Sequence, residues 1–226
     1  MYFTRVSNPC MAITKHKVKL SRRVVHDLKE ISKLSSVKQW EFAGDIKYEN
    51  SKFSKPTRVT SKKRSQVDSK ELVRVWNSEI SYHTHTGIGY NDENVCENTP
   101  IFTTLPSNSD FVSYIKGFPQ MQVNIICDAH GYYVIDIFDA AYSRASPLPE
   151  AVFEYMRHLR SIPFMRICVF SDDTAEYFQT TIKNWKKIIN EEVHSEMKEL
   201  FGISITYYRY DEEPPDITIY QDIYVA

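Results

Sequence analysis

Glycine is scarce in this chain, with 6 residues in 226, and cysteine is scarcer at 4. Cys10, Cys96, Cys127 and Cys168 are too dispersed for C-x-x-C pairs, and they fit thiols kept reduced inside a cell better than a disulfide framework. No apolar run reaches the roughly 20 residues that a membrane helix needs, and the first residues lack the apolar centre of a signal peptide. The expectation is an intracellular globular protein, cytoplasmic or nuclear. Net charge is missing too: 28 Lys and Arg against 29 Asp and Glu leave −1, which removes a global electrostatic case for nucleic acid. There is no H-E-x-x-H, and no H-x-E with the P-C-x-x-C that zinc-dependent nucleobase deaminases require. His16, His26, His130, His158 and His194 are scattered, which argues against a two-metal hydrolase. His130, between Ala129 and Gly131, reads as a solvent-exposed turn residue.

What is present suffices for one substantial core, or one core with an appended subdomain, since 42% of residues are hydrophobic. Fifteen tyrosines against 6 glycines is a biased composition, consistent with a viral origin. Positive charge gathers in one stretch, where Lys52, Lys55, Arg58, Lys62, Lys63, Arg64 and Lys70 are opposed only by Asp68. Few aromatics interleave with these residues, so the stretch reads as a solvated loop, with contact to an acidic partner surface as the other option and nucleic acid disfavoured.

Chemistry concentrates at His83-Thr84-His85. The residues before it are β-branched and aromatic, which predicts a strand running into a loop. On a strand, residues i and i+2 share a face about 6 to 7 Å apart, a gap that one ion with bonds of about 2 Å can bridge. Pro106-Ser107-Asn108-Ser109-Asp110 precedes the helically spaced Phe111, Val112, Tyr114 and Ile115. Ser107 and Asp110 therefore make a capping box that places a carboxylate in a first helical turn. Asp92 and Glu93 are rival carboxylates nearer to the histidines in sequence. Glu41, in Trp40-Glu41-Phe42-Ala43-Gly44, taken alone reads as the polar face of an alternating strand.

In order and in motif these elements resemble the JAMM/MPN+ (JAB domain) metalloprotease family, whose pattern is an early glutamate, then H-S/T-H-P, then S-x-x-D. The likeness covers about residues 18 to 140 and includes a hairpin at Val123–Asp128 and Tyr132–Ile137. Two features depart from it: Thr86 stands where the family has proline, and the 21 residues Thr86 to Pro106 enlarge the spacer between His85 and Ser107. The resemblance implies an α+β fold of MPN type (cytidine-deaminase-like), a mixed sheet flanked by helices. It implies Zn2+ bound by His83, His85 and Asp110, with Glu41 as general base and Ser107 steadying the oxyanion. The implied activity is that of a zinc isopeptidase or peptidase, with conjugates of ubiquitin or a ubiquitin-like protein as substrate and the need for a protein partner open. A non-catalytic MPN-type interaction scaffold is the alternative.

The expected organisation is a JAB/MPN-like domain over residues 18–145, followed by a helix and strand elaboration over 146–226 that either extends the same domain or forms a subdomain. Residues 1–17 read as a polar lead-in. Ser21 caps a helix carrying Val24, Val25, Leu28, Ile31 and Leu34, and Arg58 to Thr60 is a short edge strand. Leu72 to Trp76 is ambiguous between helix and strand. Past Pro147 and Pro149, the pattern predicts a helix over Glu150–Arg160 and a buried strand over Arg166–Phe170. Asp172 or Asp173 then caps one long helix that runs from Tyr177 and Phe178 to Gly202. Strands follow at Ile203–Tyr208 and Ile217–Val225.

Overall fold

The structure, a computed structural model, describes residues 14–64, 66–72, 78–87, 96–137, 166–169 and 176–221. In chain order the first elements are β1 (Thr14–Lys19), α1 (Arg22–Lys38), β2 (Ala43–Ile46), β3 (Tyr48–Glu49), β4 (Lys52–Phe53), α2 (Ser69–Leu72) and β5 (Ile80–Thr84). The middle of the chain forms β6 (Pro100–Thr103), α3 (Asn108–Gly117), β7 (Val123–Cys127) and β8 (Gly131–Ile137). Then come β9 (Arg166–Val169), β10 (Glu176–Thr181), α4 (Ile182–Lys187), a π-helical turn (Ile188–Val193), α5 (His194–Phe201), β11 (Ile203–Arg209) and β12 (Asp216–Gln221). The protein is therefore a mixed α+β fold.

All five residues of β7 are buried, as a strand covered on both faces requires. It lies at the middle of a sheet of order β11-β8-β7-β5-β2, in which only the β7–β5 pair is parallel. Alternation sorts the side chains into two cores. Ile80, Tyr82, Val123, Ile125, Cys127, Tyr132 and Val134 face α1 and the β1–β12 ribbon, where Val24, Leu28 and Ile217 meet them. Ile126, Tyr133, Ile135, Ile203 and Ile205 face α3 and the C-terminal helices, among Phe111, Tyr114, Trp185, Ile189 and Met197. Leu28 is completely buried, so Leu28→Ala falls among core truncations that cost about 2 to 5 kcal/mol.

Several expectations hold locally. Ser21 Oγ accepts the Val24 N–H at the start of α1. Ser107 and Asp110 form the full capping box of α3, and Gly202 ends α5 with φ 65°. Val59 bridges Ala43 at the outer edge of β2, so the Arg58 to Thr60 strand shrinks to that bridge.

Others are corrected. The end of the lead-in, from Thr14, opens β1, which runs on to Lys19 and pairs residue by residue with β12; charged Lys15, Lys17 and Lys19 hide a strand that long-range pairing forms. Tyr177 and Phe178 belong to β10, between β6 and β9, and the helix starts at Ile182 with Thr181 as its cap. A spacing of three to four residues could not separate strand from helix there, and cross-strand pairing decided it. The helix that follows is broken by its π-helical turn. Part of the spacer from Thr86 to Pro106 is β6, a paired strand. His130 is half-buried, its Nε2 has no hydrogen-bond partner among the described residues, and burial holds its pKa below the ordinary histidine value against the charge of Asp128. Asp92, Glu93, the Glu150–Arg160 helix, the Asp172 and Asp173 cap, and most of Leu72 to Trp76 lie outside the described residues, as do residues 222–225.

Candidate metal centre

His83 is held in β5 between Ala43 of β2 and Ile126 of β7. Its neighbours Tyr82 and Thr84 point to the α1 side of the sheet, so His83 points to the side of α3. His85 follows the last strand residue, and its N–H donates to Cys127 O at 2.8 Å, which carries the ladder one step further. Both imidazoles therefore share a face.

Thr84, between them, is fully buried. Its hydroxyl donates to Ser35 Oγ (2.9 Å) and accepts the Phe42 N–H (3.0 Å), while its own N–H donates to Phe42 O (2.8 Å). Ser35 Oγ donates onward to Trp40 O at 2.7 Å. This polar path ties the end of α1, the entry to β2 and the histidine strand together. Ser32, Ser35 and Ser36 are buried on α1, and three serines on an otherwise apolar helical face were the sequence signal that sequence reasoning missed.

Asp110 arrives from the opposite direction. Its Oδ2 accepts the Ser107 N–H at 2.6 Å, and Ser107 Oγ accepts the Asp110 N–H at 3.2 Å. Asp110 Oδ1 lies 3.2 Å from His83 Nε2 and Oδ2 lies 3.4 Å from His85 Nε2, while the two Nε2 atoms are 3.3 Å apart. Burial alone would raise the Asp110 pKa; the facing imidazoles, by charge and hydrogen bonding, outweigh it and hold the carboxyl well below its usual range.

These separations decide whether an ion fits. A tetrahedral ion with bonds of about 2.0 Å sets its ligand atoms about 3.3 Å apart, and the three contacts match that edge length. Imidazole nitrogen and carboxylate oxygen are a donor set for borderline divalent ions such as zinc. The triad can bind a metal ion. Among the described residues it is the group of three His, Cys, Asp or Glu side chains whose ligand atoms converge in this way.

Compared with known protein families, curated proteins and solved structures, this chain matches none. Ala43 opposes His83, and the Thr84 N–H bond to Phe42 O continues that register, which sets Glu41 opposite His85. Phe42 belongs to the core on the α1 side, so alternation turns Glu41 toward the face of the histidines. The Glu41 backbone is held at both ends, its N–H donating to Lys63 O (2.8 Å) and its carbonyl accepting from Thr60 Oγ1 (2.6 Å). Gly44 permits this edge: a Cβ there would stand 2.0 Å from Thr57 O and 2.5 Å from Tyr82 Cε1. Ser107 is exposed at the start of α3, and its hydroxyl accepts in the cap, which leaves its own proton to donate.

No local pattern in the sequence names a partner for the outer nitrogens of the histidines. His85 Nδ1 lies 2.9 Å from Thr104 Oγ1. Thr104 O accepts from Tyr133 Oη at 2.7 Å, and Tyr133 Oη accepts from Trp185 Nε1 at 2.7 Å.

Proposed function

We propose that this chain is a zinc-dependent isopeptidase or peptidase of the JAMM/MPN+ type, acting on conjugates of ubiquitin or a ubiquitin-like protein. The observation that carries this reading is the convergence of His83 Nε2, His85 Nε2 and Asp110 at tetrahedral edge lengths, with Glu41 two residues before the neighbouring strand β2 and turned to the same face by alternation. The element order α1, β2, β5, α3, then the β7–β8 hairpin agrees with an MPN-type fold.

In this reading His83, His85 and Asp110 hold the ion. Zinc bound there would supply a Lewis acid that makes water nucleophilic near neutral pH and polarises an amide carbonyl. Glu41 accepts the proton of the attacking water on its carboxylate and passes it to the leaving amine. Ser107 donates a hydrogen bond from its hydroxyl to the developing oxyanion. The ubiquitin-type substrate rests on the family resemblance alone, because no described residue identifies it.

The test is metal content, by elemental analysis, of purified wild type, His85→Ala and Glu41→Gln, followed by cleavage of a ubiquitin–lysine isopeptide with and without chelator. The expected result is about one zinc per chain in wild type and Glu41→Gln, none in His85→Ala, and chelator-sensitive cleavage that Glu41→Gln lowers by roughly 10²-fold or more. Glu41→Gln as active as wild type would remove the proton-transfer assignment. Wild type that takes up no zinc, even on addition, would return the chain to the scaffold alternative. Iron in place of zinc would point away from hydrolysis, because two histidines and a carboxylate also suit iron(II).

A further inference from the structure

The contact between His85 and Thr104 reaches past the three ligand groups and controls what one of them presents. A neutral imidazole carries a single N–H, and its position depends on the partner of the nitrogen that does not ligate. The Nε2 of His85 faces Asp110 and His83, so Nε2 is the ligand nitrogen, and Nδ1 must then hold the proton. Thr104 Oγ1, 2.9 Å from Nδ1, can receive that proton's hydrogen bond. If the hydroxyl donated instead, Nε2 would be protonated and point a hydrogen at the ion.

Three features make Thr104 a built support. It is 7% exposed, so water competes poorly for Nδ1. Its backbone is fixed by the Tyr133 phenol, itself tied to the Trp185 indole, and both aromatic side chains are fully buried. It also lies on the segment that ends in Ser107 and Asp110. One short stretch therefore grips the His85 ring at both ends, Thr104 at Nδ1 and Asp110 at Nε2.

We propose that Thr104 is a positioning residue for the metal, holding His85 as the Nδ1–H tautomer so that the Nε2 lone pair stays aimed at the ion. This rests on the metal reading of His83, His85 and Asp110, and the experiment separates the two. Zinc affinity is measured by competition with a chromophoric chelator for wild type, Thr104→Val and Thr104→Ser, alongside the melting temperature of each metal-free protein. Thr104→Val keeps the shape and removes the hydroxyl; its affinity falls about 10- to 100-fold, the usual effect of losing such a partner. Thr104→Ser restores wild-type affinity, and metal-free melting does not track the affinities.

Equal affinity of wild type and Thr104→Val overturns the proposal and leaves the metal site standing. Equal weakening of the valine and serine variants also overturns it, because the hydroxyl would not be the cause. Wild type without zinc affinity overturns both readings. Should Thr104→Val fail to fold, the imidazole nitrogen shifts of zinc-loaded wild type decide: a proton on His85 Nδ1 is expected, and ligation through Nδ1 overturns the assignment.

Discussion

His83 and His85 could be picked out from the sequence, but the residue between them is as constrained as either. Thr84 spends its hydroxyl on Ser35 and on the Phe42 N–H, both inside the fold. Thr84→Val, nearly the same shape, leaves that buried N–H without its side-chain partner, and the loss expected is about 1 to 3 kcal/mol. Urea unfolding of the metal-free protein measures it. A variant as stable as wild type would mean that the Thr84 bridge carries no net energy. Thr104 was not legible for a different reason: its contact to His85 depends on where β6 lies, and β6 is placed by β10, far along the chain.

At the scale of elements, α3 does two jobs with one turn. The capping box that starts the helix is the same set of hydrogen bonds that holds Asp110 against the histidines. Ser107→Ala should therefore lower stability by about 1 kcal/mol through the lost cap, and weaken zinc binding by loosening Asp110. Ser107→Thr keeps a capping hydroxyl and should retain both properties. Denaturation curves and zinc titrations on the two variants check this, and zinc affinity unchanged in Ser107→Ala would show that Asp110 is held without the box. The box was readable because capping is a local pattern of four residues. The β10 strand was not, since Tyr177 and Phe178 fit a helical stripe equally well until β6 and β9 pair with them.

Across the whole molecule, tyrosine does much of the packing. Tyr82, Tyr132, Tyr133 and Tyr207 are at most 1% exposed, and burial raises the pKa of each phenol. Tyr207 Oη, with Thr103 Oγ1 and the His130 and Gly131 N–H groups, donates to the carboxylate of Asp128, which joins β6, the β7–β8 turn and β11. A phenol whose folded pKa is raised keeps its proton where the unfolded chain releases it. Its stabilising contribution is fully present below about pH 10 and is lost as pH climbs beyond that value. With four such groups, stability should fall steeply above about pH 10, and phenolate absorbance from these residues should appear only together with unfolding. Phenolate forming at any of these four residues near pH 10 in still-folded protein would contradict their burial.

The sequence alone determined what depends on short spacing: the histidine pair on one strand face, the Ser107 and Asp110 cap, the α1 stripe and the end of α5 at Gly202. Each follows from a backbone period or a cap that a few neighbouring residues dictate. Tertiary structure alone decided that Asp110 meets the histidines across the spacer, that Glu41 lies on their face, that Thr104 reaches His85, and that β1 pairs with β12. Those relations join segments distant in sequence, and sheet register and core packing bring them together, which no local pattern encodes.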